Sequence, residues 1–297
     1  MTEPLTVAWL GTGLMGAPMA ANLLHGGHRV RIYNRTREKT EPLSQQGATV
    51  CATPQEAAQG CSVVFITVTD GPDVEAVLGG NEGALQSLEA GAMCVDMSTI
   101  APAKSREIAA ICAQRGVKFL EAPVTGGTMG AEKGTLSIMV GGEQADYERV
   151  QPLLELLGQT LTYCGPHGAA QTVKLCNQIC GALNLLGVCE ALLLGQQMGV
   201  DPELIVRVVS GGAARSWAME VLAPKILSGD FAPGFMIETQ QKDMRLVNEA
   251  AESSQTPLPG ATLAQQLWRA AQAQGWDTEG TQSMFKVLQG MAGGGRE

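Results

Sequence analysis

An apolar run of strand length, Val7-Ala8-Trp9-Leu10, stops at Gly11. Gly13 and Gly16 follow in G-x-G-x-x-G spacing, ahead of an alanine- and leucine-rich helix pattern. Each glycine has a separate task in a nucleotide-binding βα turn. Gly11 lets the chain turn tightly, Gly13 lets the backbone approach a pyrophosphate, and Gly16 lets helix and strand pack closely. The first N–H groups of the helix and the positive end of its dipole then face the phosphates. Glycine is common here, at 37 of 297 residues, so the spacing alone would mean little. Its context gives it weight: a strand before, a helix after, and a second strand, Arg29-Val30-Arg31-Ile32-Tyr33, at the distance a βαβ unit requires. Gly11, Thr12, Gly13, Leu14, Met15 and Gly16 are therefore expected around a dinucleotide.

The residues after that second strand bear on which dinucleotide. An NAD-binding chain usually places Asp or Glu here, to accept hydrogen bonds from the ribose hydroxyls. This chain has Asn34-Arg35-Thr36-Arg37 instead. A carboxylate would repel the 2′-phosphate of NADP, whereas a guanidinium can pair with it through two parallel hydrogen bonds. NADP(H) is the expected cofactor, contacted by Asn34, Arg35 and Thr36. NAD(H) is the alternative if these charges merely face solvent.

The length allows two domains with substantial cores. With 45% hydrophobic and 16% charged residues, the composition is that of a soluble globular protein. A net charge of −9 argues against nucleic acid or an anionic membrane as partner. The chain enters a strand almost at once, which leaves no room for a signal peptide, and no apolar run reads as a membrane span. A cytoplasmic protein is expected. The eight cysteines show no C-x-x-C and sit mostly among apolar residues, so they read as reduced core residues. The three histidines have no metal-ligand spacing, and no metal is expected.

Residues 1–165 alternate short apolar runs with helical patterns. Strands are predicted at 49–51, 62–68, 93–99, 117–122, 136–140 and 160–164, and helices near 37–46, from 54, from 102 and over 143–157. Thr53-Pro54 reads as an N-cap followed by proline at the first helical position. Repeated βα winding implies an α/β, doubly wound, Rossmann-type sheet. From about Gly168 the texture becomes helical, with patterns over 168–198, 202–210, 216–227, 236–253, 260–274 and 280–290. Residues 166–291 thus read as an all-α substrate and dimerisation domain, and 292–297 as a disordered tail. The first of these helices is too apolar to face solvent all round, which suggests a core or a subunit interface.

Two stretches carry chemistry. Glu121-Ala122-Pro123-Val124-Thr125-Gly126-Gly127 ends a strand at the carboxyl edge of the sheet, where doubly wound folds bind ligands. A hydroxyl beside two glycine N–H groups suits a small carboxylate, although a capped Pro/Gly loop would look the same. Lys174 lies early in the first helix after the sheet, and Asn177 and Gln178 share its face at about 100° per residue. A lysine among apolar residues is easily turned to proton transfer. A lysine whose ammonium simply reaches water is the plainer alternative.

Together these segments resemble the β-hydroxyacid dehydrogenase family over nearly the whole chain. The resemblance rests on Gly11-Thr-Gly-Leu-Met-Gly-Ala-Pro-Met-Ala20, Asp96-Met-Ser-Thr99, Glu121-Ala-Pro-Val-Thr-Gly-Gly127, Lys174-Leu-Cys-Asn-Gln178 and Gln241-Lys-Asp-Met-Arg245. It implies a Rossmann domain followed by a helical domain, with the active site in the cleft between, and dimers or tetramers. It makes Lys174 the catalytic acid/base, gives Thr125, Gly126 and Gly127 the substrate carboxylate, and has Asn177 position the substrate. It puts Thr99 near the nicotinamide, the loop of Val68 and Thr69 at the cofactor, and Lys242 within reach of cofactor and substrate.

Two departures matter. Thr125 stands where the family usually has serine, and Thr69-Asp70 replaces its usual Leu-Pro, which leaves ribose contacts there open. The implied activity is reduction of a small aldehyde acid to the hydroxy acid. Candidates are tartronate, methylmalonate and succinic semialdehyde and glyoxylate. Lys174-x-x-Asn177-Gln178 and Ala232-Pro-Gly-Phe235 look most like the tartronate semialdehyde branch, while Asn34-Arg35-Thr36 and Gln240 to Arg245 look more like the glyoxylate/succinic semialdehyde branch. Trp217, Met219 and Phe235 are candidates to shape the pocket, with plain core packing the alternative for Trp217. Imine reductases share the fold and cofactor but generally have another residue at the Lys174 position. A non-catalytic NADP-binding sensor would leave the complete motif set unexplained.

Overall fold

The computed structural model describes residues 4–293. The chain divides into two compact units, Met1–Lys174 and Leu175–Glu297. In the first, β1 (Thr6–Leu10) leads through α1 (Gly16–His25), β2 (Arg29–Tyr33) and α2 (Glu41–Ser44) to β3 (Thr49–Val50), α3 (Pro54–Ala58) and β4 (Val63–Ile66). Next come α4 (Gly71–Gly79), β5 (Met93–Asp96), α5 (Pro102–Gln114), β6 (Lys118–Glu121), β7 (Val124–Thr125) and α6 (Gly127–Lys133). The unit's strands finish with β8 (Leu136–Gly142), which α7 (Gln144–Leu154) separates from β9 (Gly158–Gly165).

The strands lie in the order β3-β2-β1-β4-β5-β6-β8-β7, with β9 paired to β8. From β3 to β6 every pairing is parallel. β8 then runs antiparallel to β6 and β7. The 3-2-1-4-5-6 core is the order of dinucleotide-binding folds, with its switch point between β1 and β4. β1 shows why these strands are apolar throughout. Val7 and Trp9 join one buried cluster with Met19, Leu23 and Phe65, while Ala8 and Leu10 join a second with Val64, Ile66 and Cys94. Alternate side chains go to opposite faces, and helices cover both faces of a parallel sheet.

Local chemistry starts the helices. The Thr53 hydroxyl accepts the Glu56 N–H at 3.0 Å, with Pro54 at the first helical position. Asp70 likewise accepts the Gly71 N–H at 2.7 Å and starts α4. The sequence patterns did not anticipate α4, β7 or α6. β7 is only two residues long, too short for any periodicity, and exists because β8 offers it an edge.

The second unit is helical. α8 (Ala169–Gln197) enters it from the sheet, followed by α9 (Pro202–Ser210), α10 (Ala223–Leu227), α11 (Ile237–Ser253), α12 (Pro259–Ala273) and α13 (Met284–Met291). Two expected helices are modified. The 216–227 segment opens with a π-helical turn over Ala218–Leu222, and the 280–290 segment begins as a 3-10 turn over Thr281–Ser283. Ile237, Met244, Val247, Ala264, Trp268 and Phe285 are buried, and the Trp268 indole N–H reaches the Thr281 carbonyl at 3.0 Å. Of the expected tail, 292 and 293 follow α13, and 294–297 lie outside the described residues.

Three expectations need correction. α8 is long and apolar enough to cross a membrane by length and composition, the one such helix among the described residues. No unbroken apolar run marks it, because isolated Lys, Glu, Asn, Gln and Gly residues interrupt the run while its average stays apolar. A core helix of a soluble protein has the same signature, and 44% of its most apolar stretch is buried inside the protein. Nor are all cysteines core residues. Cys51, Cys61, Cys94, Cys112 and Cys189 are buried, but Cys176 and Cys180 are exposed on α8. Burial pushes the Cys189 thiol up to about 12, which leaves it inert. Trp217 is 52% exposed and so is not core, whereas Met219 is buried.

Candidate active site

The turn after β1 has the shape its glycines imply. Gly11 sits at φ +101°, and a Cβ there would strike the Thr67 carbonyl oxygen. A Cβ on Gly16 would strike the Gly11 carbonyl, which also accepts the Trp9 indole N–H at 3.0 Å. Gly13 differs, since nothing lies within 4 Å of where its Cβ would be. Two glycines close the turn, and the third leaves an open cradle that a pyrophosphate can enter. The first turn of α1, whose N–H groups lack intrahelical partners, begins at Gly16, directly after Met15 as its cap. Leu14 is half-exposed.

Asn34 braces this turn. Its side-chain oxygen accepts the Thr12 N–H at 2.9 Å, and its amide donates to the Thr36 carbonyl at 2.8 Å. The Thr12 hydroxyl donates to the Lys39 carbonyl at 3.0 Å. Both ends of the Asn34 amide are thus engaged within the chain, which ties the glycine turn to the loop beyond β2. On that loop Thr36 is exposed, and Arg35, 83% exposed, meets the Asp73 carboxylate at 3.1 Å. Beyond β4, the Val68 N–H donates to the Ser98 hydroxyl at 3.0 Å, and the Ser98 N–H donates to Asp96 at 3.0 Å. Thr69 is exposed and Thr99 half-buried. Where the family's usual Leu-Pro is replaced, Asp70 serves as the cap of α4.

The start of α8 is held by a residue that the sequence patterns did not single out. The buried Glu121 carboxylate accepts the N–H groups of Gly168 at 2.8 Å, Ala170 at 2.8 Å and Gln171 at 3.2 Å, together with the Ser105 hydroxyl. These are N–H groups that a helix leaves without internal partners, and a carboxylate complements the dipole there. A carboxylate directly after the apolar pair Phe119-Leu120, at the inner end of a strand, was the available signal. One turn on, Lys174 is buried, 7% exposed, and its ammonium donates to the Val124 carbonyl at 2.8 Å. A carbonyl partner orients an ammonium without taking its proton. Thr125 follows Val124 directly, paired in β7 with Ser137. Gly126 and Gly127 then turn the chain at φ +132° and +65° into α6. Lys174, Thr125, Gly126 and Gly127 are thus gathered at one sheet edge.

Within the second unit, the Asn177 amide donates to Gln178 at 3.0 Å, and Gln178 donates to Asp243 at 2.6 Å. The other Asp243 oxygen pairs with the Lys242 ammonium at 2.6 Å. Asp243 is 1% exposed. Its hub role was invisible because 65 residues separate it from Gln178. Phe235 is half-buried.

The glycine turn makes a prediction. Gly11→Ala should lower stability by about 1–3 kcal/mol through strained φ and collision, read as a fall in Tm. Gly13→Val should leave Tm nearly unchanged yet weaken dinucleotide binding by roughly tenfold or more, measured by fluorescence titration with NADPH and NADH.

Residues 6–165 match the family described as the NAD binding domain of 6-phosphogluconate dehydrogenase. Residues 168–288 match the NAD-binding family of NADP-dependent 3-hydroxyisobutyrate dehydrogenase. The chain is 38% identical to the 2-hydroxy-3-oxopropionate reductase of Escherichia coli K12, over 97% of this chain and 98% of that one. Among solved structures it is similar to Mycobacterium tuberculosis 3-hydroxyisobutyrate dehydrogenase with L-serine, at TM-score 0.87 and 29% identity over 96% and 99% of the two chains. It is also similar to Psf3 in complex with NADP+ and 2-OPP, at TM-score 0.88 and 30% identity over 95% and 99%. With both halves matched and relatives aligned end to end, the chain belongs to the β-hydroxyacid dehydrogenase family and is an NAD(P)-dependent oxidoreductase of hydroxy acids.

Proposed function

We propose that this protein is an NADPH-dependent reductase of a small aldehyde acid, working reversibly on the hydroxy acid, with Lys174 as general acid and base. The observation that carries it is the Lys174 ammonium held 2.8 Å from the Val124 carbonyl, immediately before Thr125-Gly126-Gly127. A bound nicotinamide supplies the hydride in reduction and accepts it in oxidation. Lys174 donates a proton to the carbonyl oxygen as that oxygen gains charge, and in the reverse direction takes a proton from the hydroxyl. The Thr125 hydroxyl and the N–H groups of Gly126 and Gly127 bind the substrate carboxylate, while Asn177 orients the rest of the molecule. Lys242, kept in place by Asp243, adds positive charge for cofactor and substrate.

Tartronate semialdehyde, methylmalonate semialdehyde, succinic semialdehyde and glyoxylate each join an aldehyde to a carboxylate. The E. coli relative's name supports testing tartronate semialdehyde first. NADPH oxidation with these four aldehydes tests the class, and failure on all four would overturn it. Lys174→Met keeps most of the side-chain length and apolar packing while deleting the proton donor. It should lower kcat by roughly a hundredfold or more, with the protein folded and NADPH still bound. Retention of more than about a tenth of wild-type kcat would remove Lys174 from the acid role.

Preference for NADPH is supported by the exposed Arg35 guanidinium on the loop that Asn34 braces. Arg35→Asp should raise KM for NADPH about tenfold or more while affecting NADH less, since one well-made charged pair is worth that factor. Equal effects on both cofactors would show that Arg35 does not read the phosphate.

A homodimer or homotetramer is supported by α8, whose exposed side includes Val173, Leu183 and Leu194, with exposed Met198 directly after it. A second copy covering these apolar residues accounts for so much exposed hydrocarbon on one helix. Sedimentation should show no stable monomer at about micromolar concentration.

A further inference from the structure

We infer that Gln171 is a positioning residue that holds Thr99 in register with Lys174, an inference that rests on Lys174 being the acid. Gln171 is fully buried, 0% exposed. Its side-chain oxygen accepts the Ile100 N–H at 3.1 Å, and its amide nitrogen donates to the Ser98 carbonyl at 2.9 Å. Those two groups belong to the peptide bonds on either side of Thr99. One amide therefore grips the Thr99 backbone from both sides and sets which way that residue faces.

The other end of Gln171 is fixed as firmly. Its own backbone N–H donates to Glu121 at 3.2 Å, beside the N–H of Ala170 on the same carboxylate oxygen at 2.8 Å. Gln171 also lies one helical turn before Lys174, close to the same face of α8. Only a primary amide meets the demand made on this side chain. The Ile100 N–H needs an acceptor and the Ser98 carbonyl needs a donor. Glutamate would supply two acceptors, and methionine neither partner. A buried donor or acceptor left without a partner is costly, so the loop has to shift when either is lost. Thr99 would then lose its backbone anchor to the helix that carries Lys174, while the Gly13 cradle keeps its separate brace, the Asn34 amide between Thr12 and Thr36.

Chemistry and dinucleotide binding should therefore separate. Gln171→Met in the full chain should lower kcat by roughly 10–100-fold with the fastest of the four aldehydes, the size expected from a shift of about 1 Å in catalytic geometry. The NADPH Kd, read by protein fluorescence, should change by less than about threefold. In the protein without cofactor, amide exchange of the 98–101 segment should speed up by about tenfold or more, because Ile100 loses its acceptor. The kcat losses of Gln171→Met and Thr99→Ala should be strongly non-additive, the double variant falling no more than about threefold below Gln171→Met.

A folded Gln171→Met with kcat within about threefold of wild type, unchanged exchange over 98–101, or additive losses with Thr99→Ala would each overturn the inference. If Gln171→Met does not fold, Gln171→Glu takes its place under the kcat and non-additivity criteria alone, since it keeps the volume and the acceptor for Ile100 but loses the donor to Ser98. Lys174→Met is run alongside. A still-active Lys174→Met would sink the acid assignment, whereas an inactive Lys174→Met beside a fully active Gln171→Met would sink the Gln171 role alone.

Discussion

The buried Glu121 carboxylate is the interaction on which the sheet unit and the start of α8 depend. A carboxylate without water needs hydrogen-bond donors around it, and the start of α8 supplies N–H groups that would otherwise lack partners. Each side satisfies the other. The union joins the end of β6, the side chain of Ser105 on α5 and the first turn of α8. Three residues past Glu121, the Val124 carbonyl meets Lys174. The same short stretch of chain thus fixes both the backbone of α8 and the tip of its Lys174 side chain.

Besides the Glu121 and Asp96 carboxylates, amides and hydroxyls brace the carboxyl edge of the sheet. Asn34 ties the glycine turn to the loop after β2, Ser98 ties the loops after β4 and β5, and Gln171 ties the latter to α8. Neutral amides of this kind hold loops at fixed spacing without adding charge that would repel a phosphate or compete for a proton. The charges that face solvent, such as Arg35, sit at the rim. Preorganisation then resides in buried groups that are already satisfied, and little rearrangement is left for the moment of reaction.

In the second unit a buried carboxylate again organises polar groups. Asp243 accepts from Gln178 and pairs with Lys242, so α8 and α11 present Asn177 and Lys242 in a fixed relation. A lysine on a helix would otherwise sample several rotamers, and ordering it costs entropy. Pairing inside the unit settles that cost at folding.

The sequence by itself determined the parts of this protein that are local. The glycine spacing after β1, the doubly apolar strands and the Thr53-Pro54 helix start all follow from the stereochemistry of a few adjacent residues, and so did the Rossmann sheet followed by a helical unit. The motif around Lys174 marked a lysine among apolar residues, and the structure buries that lysine. Only the tertiary structure decided what holds those parts together. Glu121 and Gly168 are 47 residues apart, Gln171 and Ser98 are 73 apart, and Gln178 and Asp243 are 65 apart. No periodicity or spacing rule reaches across such distances, because the partners meet only once the strands have taken their places in the sheet and the helices have packed. The two-residue β7 and the bracing use of Asn34 belong to the same class. Their roles come from a neighbour's unpaired backbone groups, which the chain exposes only after it has folded.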